Sequence, residues 1–347
     1  MHFKNGTDAA SKKLIGPILF YFFGNLEKMN SLYNQTPVIE SLYKPSPECR
    51  IFLKLENTQP SGSFKTRGIS HHCQKLKDRG CQYFVSSSGG NAGLAVAYAG
   101  RVLDVPVSVF IPTTTPDHVK ERMILEGAKV VQKGSVWDET NKYALEFVET
   151  MKEQKASLVH PFDHPEIWTG HSTMVNELKE QLSDKPSAIV LSVGGGGLLC
   201  GVLEGLHRVG WNDVPIVACE TYGADCFNAA MESKKLVTLP AITSVAKCLG
   251  SLTVLQDALT WADKHRIIPL RVTDKEAVSA CYRYLNDFKT LVEPACGASL
   301  AVIYSDILTN LCNDKKLPSI DRVVVIVCGG HSLKIDDLLS WKKEFSI

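Results

Sequence analysis

Four short segments of this chain hold residue types from which chemistry can be built. The first is Gln59-Pro60-Ser61-Gly62-Ser63-Phe64-Lys65-Thr66-Arg67-Gly68, which follows the apolar run IFLKL. A helical pattern from Phe64 onward places Ser61 or Ser63 at an N-cap and Lys65 in the first turn. An ammonium there faces the positive end of the helix dipole, and desolvation would favour the neutral amine that a Schiff-base lysine needs. A lysine in a first turn is more ordinarily a solvated side chain, and spacing alone does not separate the two readings. The second segment is Gly194-Gly195-Gly196-Gly197, between an apolar strand and an amphipathic helix. Without Cβ atoms the backbone can aim several N–H groups at one point beside a helix start, which makes a phosphate cradle. No Gly-Lys-Ser/Thr follows and Gly-x-Gly-x-x-Gly is not met in register, so a phosphate smaller than a nucleotide fits better. The bland alternative is a turn demanded by tight packing. The third segment, Ser86-Ser87-Ser88-Gly89-Gly90-Asn91-Ala92-Gly93, offers hydroxyls, backbone N–H groups and an amide at a helix start, which suit a carboxylate, though serine and asparagine are also common caps. The fourth is Cys328-Gly329-Gly330, after the apolar run VVVIVC.

The elements that position these segments follow from hydrophobic patterning. Short β-branched runs alternate with longer amphipathic stretches from Thr36 onward, as in an α/β protein with largely parallel sheets. The candidate strands are Ile51–Leu55, Tyr83–Ser86, Val107–Ile111, Lys129–Gln132, Ala188–Val193, Ile216–Glu220 and Arg322–Cys328, with helices over Leu94–Leu103 and Leu198–Val209. Two glycine-bearing loops about a hundred residues apart imply two α/β lobes with a ligand cleft between them.

Composition narrows the partners. Among 347 residues, 38 Lys and Arg balance 37 Asp and Glu, which argues against nucleic acid or a membrane surface as partner and for a small molecule or protein. Eleven cysteines without a Cys-x-x-Cys pair point to a reducing compartment, the cytoplasm, rather than a disulfide framework or zinc finger. The apolar stretch Leu14–Phe23 is about half the roughly 18 residues a span requires. It reads as a packing extension at a subunit interface, the alternative being the apolar part of a signal peptide.

Taken together and in this order, PSGSFKTRG, SSGGNAG, SVGGGGLLCG, VEPACGAS and VIVCGG resemble the fold-type II pyridoxal-phosphate enzymes. Within them they resemble the L-serine dehydratase / L-threonine deaminase family, the short animal members most of all, over about residues 36 to 330. Phe64 and Thr66-Arg67-Gly68 favour this branch over the cysteine synthases. The resemblance implies two open, twisted, mostly parallel sheets flanked by helices. It also implies an N-terminal extension (1–35), a large cofactor-binding domain (36–59 and 163–347), a small domain (60–162) and a homodimer. The implied activity is β-elimination of L-serine and L-threonine to pyruvate or 2-oxobutyrate and ammonia, in amino-acid catabolism and gluconeogenesis.

The family's roles carry over by position. Lys65 would hold pyridoxal 5'-phosphate covalently and, once released, act as the base at the substrate's α-carbon. Phe64 would lie against the pyridine ring, Asn91 would bond the phenolic oxygen, and Gly194, Gly195, Gly196, Gly197 and Leu198 would bind the phosphate. Ser88, Gly89, Asn91 and Ala92 would take the substrate carboxylate, with Ser88 counted also among the catalytic residues. Cys328 would face the pyridine nitrogen, and a thiol there leaves the ring closer to neutral than an aspartate would, which suits prompt loss of a β-hydroxyl over transamination. Glu220, followed by Thr221-Tyr222-Gly223-Ala224, matches the family's acidic cation segment, implying Gly194, Glu220 and Ala224 as ligands to potassium. A salt-bridged glutamate at a strand end is the other reading.

Two positions depart from the family pattern. Serine racemases carry a serine at Gly89, so this chain is expected to eliminate rather than racemise, and the missing methyl of the usual alanine bears on substrate fit. His331-Ser332 stands where Ser-Asn is usual, and His331 either disturbs the loop or points to solvent. The end at Ile347 leaves no room for a regulatory domain, so control by isoleucine is not expected. Racemase-type activity and a cofactor-binding protein with little turnover are the rival readings.

Overall fold

A computed structural model of the chain describes residues 32–46 and 48–347. The Leu14–Phe23 stretch and most of the 1–35 extension lie outside the described residues. The strands and helices run, in order, β1 (Val38–Glu40), β2 (Arg50–Lys54), α1 (Lys65–Asp78), β3 (Tyr83–Ser86), α2 (Asn91–Leu103), β4 (Val107–Ile111), α3 (Asp117–Leu125), β5 (Lys129–Gln132), α4 (Trp137–Thr150), β6 (Ala156–Leu158) and α5 (Pro165–Gln181). They continue with β7 (Ala188–Ser192), α6 (Gly197–Val209), β8 (Ile216–Thr221), α7 (Cys226–Ser233), α8 (Gln256–Ala262), β9 (Ile267–Val272), α9 (Asp274–Phe288), α10 (Pro294–Ala301), α11 (Ile307–Asn313), β10 (Arg322–Ile326) and α12 (Ile335–Glu344).

Six strands form one sheet in the order β1-β2-β10-β7-β8-β9, parallel except for the antiparallel β1 edge, and four form a second, wholly parallel sheet in the order β5-β4-β3-β6. Strands β4, β7 and β8 are buried along their whole length, as strands covered by helices on both faces must be, which explains their unbroken apolar sequences. All seven expected strands are present, with ends shifted by up to two residues: the last stops at Ile326 rather than Cys328. Three strands escaped the pattern. Two are only three residues long, and β9 contains Pro269, tolerated because β9 pairs only with β8 at a sheet edge.

Parallel strands deliver their following loops to one end of a sheet, where an open α/β fold leaves a crevice. The loops after β3, β7 and β10 are the three glycine-bearing segments identified above. Helix α1 is fixed to the end of β2 and to α5 by a buried ionic cluster. The Arg67 guanidinium donates to both oxygens of Glu56 (2.7 and 2.8 Å) and both of Glu177 (2.6 and 2.7 Å), and Lys54 Nζ reaches Glu177 Oε2 at 2.5 Å. Arg67, Glu56 and Lys54 are wholly buried. Two residues from Lys65, the helix is therefore held by pairs whose loss would strand a charge away from water.

Candidate active site

Lys65 is the first residue of α1, and the N-cap is Phe64, not Ser61 or Ser63 as the sequence suggested. The reason lies in the backbone before it. Ser63 forms a bridge with Gly329, Phe64 N donates to Cys328 O at 3.1 Å, and Gly330 N donates to Gly62 O at 3.0 Å, so this loop is bonded to the end of β10 rather than wrapped around the helix start. Ser61 Oγ instead shares a 2.6 Å hydrogen bond with Thr66 Oγ1.

The Lys65 amine donates to Pro161 O at 2.6 Å and lies 5.2 Å from the Phe64 ring centroid and 5.8 Å from that of Phe162. Burial lowers its pKa to about 8, against the opposing pull of Cys248 and Cys328. At pH 7 about a tenth of the amine is then neutral, against some 0.04% for an ordinary lysine of pKa about 10.4.

The tetraglycine loop packs on Phe162. A Cβ at Gly195 would sit 2.5 Å from that ring, and Gly196 has φ +97°, a conformation that L side chains rarely adopt. Both glycines are thus required, and the N–H groups that open α6 at Gly197 and Leu198 face outward from a helix terminus. The packing and phosphate-cradle readings of this loop describe the same geometry.

Across the crevice, α2 begins at Asn91, with Leu94 N donating to Gly90 O as its first bond, so the N–H groups of Asn91, Ala92 and Gly93 have no partner inside the helix. Ser88 Oγ accepts from Gly90 N at 3.3 Å, which shapes the turn. A Cβ on Gly89 would lie 2.7 Å from Thr115 Oγ1, so the space of the absent methyl is already filled by Thr115.

Glu293, which the sequence did not single out, organises this wall. It is 2% exposed. Its Oε2 accepts from Asn91 Nδ2 at 2.9 Å, and its Oε1 accepts from Ser332 N at 2.7 Å and Ser332 Oγ at 2.6 Å. Asn91 Oδ1 in turn accepts from His331 N at 3.1 Å. The His331 ring does not point free to solvent: it is seated on Gly62, whose hypothetical Cβ would lie 1.7 Å from it. Cys248, also not foreseen, lies beside this group, 3.7 Å from Asn91 Nδ2 and 3.4 Å from Ser332 Oγ.

Cys328 is 6% exposed, and its hydrogen bond with Cys296, followed by burial, pushes its thiol pKa well up, so it stays uncharged. Glu220 is fully buried, and its oxygens accept from Phe227 N (2.9 Å), Asn228 N (2.7 Å) and Asn228 Nδ2 (2.7 Å), at the start of α7. Its partners are these amides rather than a basic side chain, which removes the salt-bridge reading. Burial raises its pKa to about 7 even so. Gly194 O accepts from Cys226 Sγ at 3.6 Å, and Ala224 N bonds Thr221 O, so the three expected cation ligands belong to neighbouring turns.

The residues present fit pyridoxal phosphate: a loop whose glycines cannot carry side chains for its phosphate, an amine whose burial lowers its pKa toward neutrality for its aldehyde, and an uncharged thiol for its ring nitrogen. A two-sheet α/β enzyme with a buried lysine at the crevice is the class these features define. The chain belongs to the pyridoxal-phosphate dependent enzyme family, whose pattern it matches over residues 29–329. It is 50% identical over 317 residues to the human protein named serine dehydratase-like (91% of this chain, 95% of that one). It is 46% identical over 320 residues to the L-serine dehydratase/L-threonine deaminase of Bos taurus (91% and 97%). The crystal structure of a fungal L-serine ammonia-lyase from Rhizomucor miehei superposes with a TM-score of 0.82 at 37% identity, covering 91% of this chain and 99% of that one.

Proposed function

We propose that this protein eliminates water and then ammonia from L-serine and L-threonine, giving pyruvate and 2-oxobutyrate. The observation that carries the reading is the Lys65 amine, sequestered among Phe64, Phe162 and Pro161 O with its pKa lowered to about 8. Bound pyridoxal phosphate supplies an electron sink that acidifies the substrate's α-hydrogen. Lys65 anchors the cofactor and, when released, takes that proton on Nζ, a task for which a pKa near neutrality suits a general base. Gly194 to Leu198 hold the phosphate. The orphan N–H groups at the start of α2, with Ser88, Gly89, Asn91 and Ala92, orient the substrate carboxylate, and Cys328 meets the ring nitrogen as a neutral thiol. Gly89 offers no side chain for protonating the opposite face, which favours elimination over racemisation.

The test is keto-acid formation by the wild type and Lys65→Ala, with L-serine and L-threonine. Wild type is expected to yield pyruvate, read by coupled lactate dehydrogenase, and Lys65→Ala to lose both this activity and the visible absorbance of covalently held cofactor. A cofactor-loaded wild type yielding neither keto acid overturns the reading, and D-serine in the residual substrate would favour the racemase alternative.

The same reading extends to potassium at Glu220 with the Gly194 and Ala224 carbonyls, supported by a carboxyl that burial leaves short of compensating charge. It extends also to the domain division at 36–59 with 163–347 and 60–162, supported by strand membership: the six-stranded sheet takes its strands from 38–54 and 188–326, the four-stranded sheet from 83–158. A homodimer in the cytoplasm, serving amino-acid catabolism and gluconeogenesis, completes it. The eleven unpaired cysteines support the reducing compartment, and sedimentation checks the dimer.

A further inference from the structure

Away from the crevice, His72 on α1 and His164 and Glu166 at the start of α5 converge, and we infer that they form a binding site for a zinc-type divalent metal ion. The ligand atoms these three residues offer all lie within 4.8 Å of one another, and among the described residues no other group of this kind occurs. The two imidazole rings lie one against the other at a tilt, 4.0 Å between centroids and 35° between planes. His72 Nδ1 lies 2.8 Å from Glu166 Oε2, and His164 Nδ1, which accepts from Glu166 N at 3.2 Å as the N-cap of α5, lies 3.9 Å from the same oxygen.

Two imidazoles and a carboxylate form a known donor set for zinc, with a fourth position left to water. Bonds of about 2.0–2.1 Å in a tetrahedral arrangement put ligand atoms roughly 3.3 Å apart, so shifts of about half an ångström bring the two measured separations into range. The surroundings suit the task. Arg79, half exposed, reaches Glu166 Oε1 at 2.5 Å and Oε2 at 2.9 Å, and can keep its hold on Oε1 while Oε2 turns to the metal, an outer contact of the kind that orients ligands. His72 is 3% exposed between the two helices, and burial lowers its pKa to about 4, which leaves the neutral ring a metal requires. His164, the N-cap of α5, is more exposed than its partners and gives the ion a way in.

The placement matters for the crevice. Helix α1 opens with Lys65, and the segment ending at His164 opens with His160 and Pro161, whose carbonyl holds the Lys65 amine. A metal at this junction would clamp the loop that touches the lysine to the helix that bears it.

Titration of zinc into the cofactor-loaded protein against a chromophoric chelator tests the site. Wild type is expected to bind one equivalent, and His164→Asn, which keeps an N-cap acceptor, and Glu166→Gln are each expected to weaken binding about ten-fold or more, with cofactor content unchanged. X-ray absorption of the wild-type zinc protein should show only nitrogen and oxygen neighbours near about 2.0–2.1 Å. No bound equivalent, affinity unchanged in both variants, or a sulfur neighbour at about 2.3 Å, as thiolate capture at Cys248 would give, overturns the proposal.

Discussion

Replacing Glu293 by glutamine keeps the shape of the buried side chain and exchanges one acceptor oxygen for an NH₂ group. The native carboxylate accepts three hydrogen bonds, from Asn91 Nδ2, Ser332 N and Ser332 Oγ. If the glutamine oxygen keeps Ser332, its NH₂ faces the Asn91 NH₂. Asn91 can then turn over, but its NH₂ would meet His331 N, which now donates to Asn91 Oδ1. If the glutamine turns instead, its NH₂ faces Ser332 N. Every arrangement leaves one buried donor unpaired, which costs about 1–3 kcal/mol. With an unfolding entropy of about 2.1 cal/mol/K per residue, the 347-residue chain has ~0.7 kcal/mol/K, so the thermal midpoint should fall by roughly 1.5–4 °C. If the same free energy is lost from the orientation of Asn91 in the transition state, kcat/KM for L-serine drops about five- to 150-fold. The double variant Asn91→Asp with Glu293→Gln restores every donor–acceptor match, so it should recover the midpoint while activity stays low for want of the Asn91 amide. Calorimetry and the coupled pyruvate assay read the two quantities separately. An unchanged midpoint together with unchanged kcat/KM in Glu293→Gln would refute the reasoning.

Other consequences are open to measurement. The rate at which apoprotein takes up pyridoxal phosphate should rise with pH through a midpoint near 8, where half of the Lys65 amine is free of its proton, and level off about one to two units higher; a midpoint above pH 10 would show that burial does not lower its pKa. The raised pKa of Glu220 means that the fold favours its protonated form, a contribution present below about 4.5 and lost as pH climbs to about 7. Potassium, by favouring the charged carboxylate, should therefore raise the melting midpoint more at pH 8 than at pH 5.5, and equal shifts at both would remove Glu220 from the cation site. Gly89→Ala should overpack against Thr115 by about 1–3 kcal/mol and lower activity, whereas adding Thr115→Ala should relieve it; an undiminished single variant would show that Thr115 simply rotates aside. Glu177→Gln leaves Arg67 with Glu56 alone and Lys54 without its carboxylate, and is expected to cost about 3–5 kcal/mol, or roughly 4–7 °C of midpoint in a thermal scan.

What could be read from the chain in advance was what local patterning encodes. Runs such as AIVLS and VSVFI announce strands buried on both faces, and a Gly-Gly-Gly-Gly turn between strand and helix announces its backbone geometry directly. The roles assigned to Lys65 and Asn91 needed the whole ordered set of motifs, since a lone lysine in a first turn says little. Glu293 stayed hidden because its partners are 202 and 39 residues away, and nothing about a glutamate before a proline reveals a buried carboxylate. The N-cap was misplaced for a similar reason: the serines before Lys65 look like caps locally, but the end of β10, some 265 residues on, claims their backbone. His72, His164 and Glu166 are unremarked in sequence, being joined only by the packing of α1 on α5.

The seating of His331 on Gly62 has a consequence for how this chain can diverge. Any residue larger than glycine at 62 must displace the imidazole, so position 62 is closed to drift while histidine persists at 331. Gly62 also has φ +77°, where an L side chain is strained whatever the space, so a shorter residue at 331 would lift the clash and leave the backbone demand in place. Position 331 is thus the freer of the two: it can change while glycine stays at 62, whereas Gly62 is held by its own backbone whatever stands opposite.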